Sequence, residues 1–131
     1  MNTRTVSLLF GVIFVAVGVI GFTPNALVGY DGIFVVNAAH NMVHLLTGMV
    51  ILVSVFKYKG YEGRILKIVG AAYVVVTIVG FLTSSNMMLG MVHINEADRW
   101  LHLGLAIIIL GAGFLPAHSK PRIMANAIGT R

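Results

Sequence analysis

The chain has 131 residues, of which 58% are hydrophobic and 10% charged, with a formal net charge of +5 and no cysteine. A soluble domain carries about 25% charged residues, so a globule of this length has no way to hide its apolar surface from water, and lipid is the expected solvent. Disulfide frameworks and thiolate metal sites are excluded with cysteine.

Arg4 precedes the first apolar run, residues 6–22. This start is similar to a signal peptide, but "FTPNALVG" after it is a poor small-x-small cleavage site, and a retained helix is expected. The loop "TPNALVGYDGIFVV" is punctuated by Pro24 and Gly32. It leads to "NAAHNMVHLLTG", which begins at Asn37 and opens a second run, residues 39–56. A short basic link holds Lys57, Lys59 and Arg64. The third run covers residues 65–82 and the loop "TSSNMMLGMVHI" follows it. "NEADRWLHLGL" begins at Asn95 and enters the fourth run, residues 100–115. From Pro116 the composition changes. The expectation is one transmembrane domain, residues 1–116, and a cytoplasmic tail, residues 117–131, in which "RIMANAIG" has the makings of a surface helix. The outer loops, rich in large apolar residues, are expected to lie at the interface as short helices or to fold over the mouth.

Each run has about the 17–20 residues needed to cross a ~30 Å hydrocarbon core, and helices satisfy their own backbone groups there. Gly11, Gly18, Gly48, Gly70, Gly104 and Gly111 read as sites of close helix packing. Every Lys and Arg except Arg99 lies on one side: Arg4, the link with Lys67, and the tail with Lys120, Arg122 and Arg131. The positive-inside rule makes that side cytoplasmic and puts both termini there. It also accounts for the net charge without nucleic acid. Tyr30, Tyr58, Tyr61 and Trp100 fall near the boundaries, as in an aromatic belt.

The chain echoes itself. A shift of 58 brings Asn37, Ala39, His44 and Leu45 onto Asn95, Ala97, His102 and Leu103, and His40 onto Asp98. A shift of 59 brings Gly11, Phe14, Gly21 and Phe22 onto Gly70, Tyr73, Gly80 and Phe81. The fold class expected is an all-α membrane protein, a four-transmembrane-helix up-down bundle from a duplicated helical hairpin. Its pseudo-two-fold lies along the membrane normal.

Asn37 and Asn95 suit helix N-caps. Asp98 holds the acidic position of a capping box, and Glu96 suits the helix dipole. Caps do not explain His44 and His102, about two turns inside their helices. His40 lies one turn above His44, and Asp98 one turn above His102, each on the same helix face. If the faces point inward, all four converge near the extracytoplasmic mouth. Three readings stand. The histidines are interhelical hydrogen-bonding groups. Or His40, His44, Asp98 and His102 hold a divalent metal such as zinc, although "HNMVH" lacks the Glu of a zincin. Or His44 and His102 are the axial ligands of a b-type haem. A lipid or quinone at the mouth is a further possibility. Met87, Met88 and Met91 beside His93 have soft-ligand character suited to Cu(I), with interfacial packing the plainer account. His118 reads as solvated.

No nucleophile–base pair or phosphate cradle is present, and none of the four acidic residues sits in mid-span, so neither an enzyme nor a proton-driven pump is expected. The alternative to a binding module is an accessory or assembly subunit of a larger membrane complex, or a homo-oligomer.

"GxxFxxxGxxGF" from Gly11 to Phe22, "VNAAHNMVHLLTG" and "INEADRWLHLGLAI" together resemble the DUF4383 family over roughly residues 5–116. The resemblance implies a small bacterial inner-membrane protein of four helices. It makes His40, Asn41, His44, Trp100 and His102 candidate residues and implies no reaction, cofactor or substrate.

Overall fold

The computed structural model describes residues 1–117. The expectations for His118 and for "RIMANAIG" lie outside the described residues. Four α-helices follow one another: α1 (Thr3–Ile20), α2 (Ala38–Phe56), α3 (Glu62–Leu82) and α4 (Glu96–Ala112). Each apolar run became a helix, displaced by a few residues from the expected bounds. α1 begins earlier because Asn2 caps it, its side chain accepting from the Thr5 amide. α4 starts at its Asn95 cap, takes the charged residues Glu96, Asp98 and Arg99 into its first turn, and ends at Ala112. α1, α2 and α3 are long and apolar enough to cross a membrane; α4 has 17 residues, about 26 Å of helix.

The loops are not helical. The first carries β1 (Val28–Gly29) beside β2 (Phe34–Val35) in parallel, and the second β3 (Met87–Met88) against β4 (Val92–His93), antiparallel. Their apolar residues turn inward: Val28, Val36, Met88 and Ile94 are buried, so both loops roof the same end of the bundle. The turn between β3 and β4 places Leu89 at φ +52° and Gly90 at φ +71°, with the Met91 amide on the Met88 carbonyl. Both central residues of a type I′ turn need positive φ. Leucine there costs about 1–2 kcal/mol.

At the other end, the Thr3 amide donates to the Pro116 carbonyl at 3.1 Å, so both ends of the described chain meet. Buried Glu62 lies beside them. Its carboxylate accepts from the Gly60 amide at 2.7 Å and faces the Arg4 guanidinium at 3.8 Å.

α1 packs along α2, and α3 along α4, while the two pairs approach each other sparsely. Small residues explain the close pairs. A Cβ on Gly11 would fall 2.7 Å from the Leu52 side chain, and one on Gly70 only 2.5 Å from the Leu110 backbone nitrogen. These contacts are counterparts under the shifts that align Gly11 with Gly70 and Leu52 with Leu110. Gly18 and Gly48 also sit against the neighbouring helix, but Gly104 and Gly111 face open space. The expectation of close packing fails for those two, because they lie on the outer face of α4, away from its partner.

Between the pairs, large side chains fill the gap: Phe14, Ile51, Leu66, Tyr73 and Ile109 are buried in one cluster. The polarity is reversed relative to a water-soluble bundle. Ser7, His40, Asn41, His44, Asp98 and His102 are buried, whereas Leu9, Val12, Leu46, Val50, Val75 and Ile107 are exposed. α4 shares this outer apolar face through Leu101, Ile107 and Ile108. Polar groups buried beneath an apolar exterior are consistent with a membrane protein.

Candidate functional site

The roofed end of the bundle is built by two exchanged asparagine contacts. Asn37 caps α2, accepting from the His40 amide at 3.0 Å, and its Nδ2 donates to the Met91 carbonyl at 2.8 Å. Asn95 caps α4, accepting from the Asp98 amide at 3.0 Å, and its Nδ2 donates to the Ile33 carbonyl at 2.8 Å. Ile33 and Met91 are themselves counterparts under the shift of 58. Each cap therefore also ties its helix to the opposite hairpin's loop. As the sequence suggested, both asparagines are N-caps; the cross-ties were not visible, since no local pattern marks a carbonyl more than fifty residues away.

Below the caps, His40, His44 and His102 converge. One ring nitrogen of each can be chosen so that all three lie within 4.8 Å of one another, and all three residues are buried. His40 stacks on His44 with centroids 4.7 Å apart, and His102 lies 5.5 Å from His40 and 6.0 Å from His44. Asp98 is not a member of this three-histidine group. Its carboxylate sits behind the rings, Oδ1 3.4 Å from His102 Nδ1 and Oδ2 3.7 Å from His40 Nδ1. The capping-box geometry expected of Asp98 gives way to this contact: the residue is 2% exposed and aimed at the histidines.

Backbone carbonyls set the tautomers. His40 Nδ1 lies 2.7 Å from the His93 carbonyl oxygen, and His102 Nδ1 lies 2.8 Å from that of Asp98. A carbonyl only accepts, so both Nδ1 atoms carry the proton and each neutral ring keeps a bare Nε2. His93, which lies beside the methionines, contributes its backbone carbonyl to the site. Met88 is buried while Met87 and Met91 are exposed, which is how packing residues of a loop behave.

Two aromatics hold the rings from below. Phe14 stacks on His44 with centroids 5.6 Å apart, and Tyr73 on His102 at 5.5 Å. Phe14 and Tyr73 meet each other edge to face at 5.4 Å. Their part in the site was missed in the sequence, although the shift of 59 already placed them in matching positions. Asn41, fully buried, packs against Gly21. Trp100 lies outside the cluster, exposed, its Nε1 donating to Glu96 at 2.7 Å.

Several polar atoms here have no protein partner: His44 Nδ1, Asn41 Oδ1 and Asp98 Oδ2. Buried polar groups are nearly always hydrogen-bonded, and one left alone costs about 1–3 kcal/mol. Two of these atoms, His44 Nδ1 and Asp98 Oδ2, belong to the histidine cluster and its carboxylate. Chemically, three convergent imidazoles backed by a buried carboxylate can bind a cation.

No curated protein and no solved structure matches this chain. A family model does, over residues 4–115, and its description is a domain of unknown function, DUF4383. That match takes in all four helices and the whole histidine cluster, and the chain belongs to the DUF4383 family.

Proposed function

We propose that this chain is a bacterial inner-membrane protein of four spans, both termini cytoplasmic, that holds one divalent metal ion on His40, His44 and His102 near its extracytoplasmic mouth. It is a binding module and not an enzyme. The observation that carries the reading is the convergence of three buried imidazoles whose ligand atoms lie within 4.8 Å of one another. The carbonyl anchors on His40 and His102 support it, because a metal-bound histidine almost always gives its other N–H to a carbonyl or carboxylate. Asp98, buried without a full set of partners, supplies the negative charge that a buried cation needs. Three imidazoles with one position to spare suit Zn²⁺ or a similar borderline ion.

A b-type haem fits less well. His40 stacks on His44 at 4.7 Å, and Phe14 and Tyr73 cover the His44 and His102 rings at 5.6 and 5.5 Å. That packing accommodates an ion but not a porphyrin plate between two axial rings. The duplicated-hairpin origin rests on matching contacts made by counterpart residues: Asn37 on Met91 and Asn95 on Ile33, Gly11 on Leu52 and Gly70 on Leu110, Phe14 on His44 and Tyr73 on His102.

Elemental analysis of protein purified without chelator tests the site. About one equivalent of a divalent metal per chain is expected; only traces, together with no change in thermal stability on adding Zn²⁺, Co²⁺ or Mn²⁺, would sink the metal. The membrane reading rests on the apolar exterior of all four helices and on the one-sided Lys and Arg. Because the chain has no cysteine, single cysteines report topology cleanly. In intact spheroplasts a membrane-impermeant maleimide should label Ser85→Cys and spare Lys59→Cys. The reverse pattern would invert the orientation, and labelling of both would contradict a membrane crossing by α3.

A further inference from the structure

Because the hairpins are held apart by aromatic side chains, two clefts open between them beside the histidines. One lies between α2 and α3 with a volume of about 230 Å³, the other between α1 and α4 with about 210 Å³. Their walls correspond: Val76, Val43 and Ile94 in the first take the places of Val17, Leu101 and Val36 in the second. Both walls are apolar, and both clefts reach Asp98.

Their inner ends differ. The α1/α4 cleft meets His44 and Asp98 only. The α2/α3 cleft meets His40, Asp98, Arg99 and His102. Arg99 is tethered there through Nη2 to the Thr83 and Ser85 carbonyls at 3.1 and 2.9 Å and through Nη1 to Glu96 at 3.2 Å, which leaves Nε buried without a partner. Asp98 Oδ2 is likewise buried without a hydrogen bond. One apolar cleft thus ends on a spare guanidinium N–H and a spare carboxylate oxygen, while its twin ends on Asp98 and the His44 ring and has no guanidinium. The strained Leu89 forms part of the wall of the same cleft.

We infer that the α2/α3 cleft is the seat of a membrane-dissolved quinone or its quinol. An apolar cavity of 150 Å³ takes a benzene ring, so about 230 Å³ takes a substituted one. A quinone carbonyl accepts from Arg99 Nε, and a quinol hydroxyl donates to Asp98. The competing lipids fit worse. A fatty-acid carboxylate would face the Asp98 carboxylate, a phospholipid headgroup would leave its charges against apolar walls, and a plain alkyl chain would leave both polar atoms unpaired. The inference rests on the membrane reading of the chain and is independent of the metal.

The test uses the full chain in lipid nanodiscs, metal-free and zinc-loaded, with a decyl-tailed benzoquinone and decylbenzene as its carbonyl-free counterpart. The quinone should raise the unfolding midpoint saturably, and decylbenzene should not. Val76→Phe, which fills the cleft, should weaken the quinone tenfold or more, equivalent to about 1.4 kcal/mol, with zinc stoichiometry intact. Val17→Phe in the twin cleft should leave quinone binding unchanged. Arg99→Lys keeps the charge but removes Nε, and should erase the preference for quinone over decylbenzene even if Val76→Phe fails to fold. Equal effects of the two probes, no saturable effect of either, or loss of binding with Val17→Phe rather than Val76→Phe would overturn the assignment. Quinone binding to the metal-free protein alone would uphold the cleft and count only against the metal site, while zinc binding without quinone binding would do the opposite.

Discussion

Replacing His102 with alanine is expected to abolish stoichiometric metal binding, and replacing Asp98 with asparagine to weaken it without abolishing it. His102 offers a bare ring nitrogen because its Nδ1 proton is committed to the Asp98 carbonyl at 2.8 Å. Removing the ring removes a ligand outright. Asp98 stands behind the rings, and its loss should cost the 10–100-fold typical of groups that orient ligands. His44→Ala and His40→Ala should behave like His102→Ala. With wild type at free metal 100-fold above its Kd, the ion adds about 2.7 kcal/mol of stability, and each histidine variant should lose that increment. The readouts are equilibrium competition with a metal-chelating dye and the metal-dependent shift in unfolding midpoint. The second separates lost ligation from lost packing, because the apo proteins are compared with one another. An Asp98→Asn loss as complete as that of His102→Ala would place the carboxylate on the metal. Full metal retention in all three histidine variants would remove the site.

The largest structural effect is expected at Gly70. A methyl group there would lie 2.5 Å from the Leu110 backbone nitrogen and 2.6 Å from its Cα. A flexible side chain can move aside, but a helix backbone cannot, so α3 and α4 must separate. Gly70→Ala should therefore cost about 3 kcal/mol, at the upper end for overpacking. Gly104→Ala and Gly111→Ala are the controls. Nothing lies within 4 Å of either position, so each should be neutral or stabilise by about 0.5–1 kcal/mol through helix propensity. Reversible unfolding in mixed micelles, followed by circular dichroism, gives the comparison. If Gly70→Ala proved as harmless as Gly104→Ala, the close approach of α3 and α4 would be wrong.

The contrast among these glycines shows where sequence reasoning runs out. Six were read alike, as packing positions, because composition does not say which face of a helix meets a neighbour. Gly11 and Gly70 share a register in the repeat and proved to be equivalent contacts. Gly104 and Gly111 had no such counterpart in the register, and they face outward. Likewise the register predicted that His40, His44, Asp98 and His102 would share one end of the bundle, since side chains four apart lie on one helix face. It did not reveal that Asp98 sits behind the rings rather than among them. Nor did it show that Phe14 and Tyr73 support the cluster from below.

Hydropathy and the internal echo were enough to determine four helices and the pairing of the two histidine-bearing starts. These properties are local or periodic, and one dimension records them. The tertiary structure alone decided which nitrogen His40 presents, because the His93 carbonyl that holds its Nδ1 proton becomes a neighbour only on packing. It alone decided that the α2/α3 cleft and its twin differ at their inner ends, since the tether on Arg99 is made by the Thr83 and Ser85 carbonyls at the start of its own hairpin's loop, which meet it only when that loop folds back. The orientation of a polar group inside a bundle depends on every element that packs against it, and no single stretch of the chain carries that information.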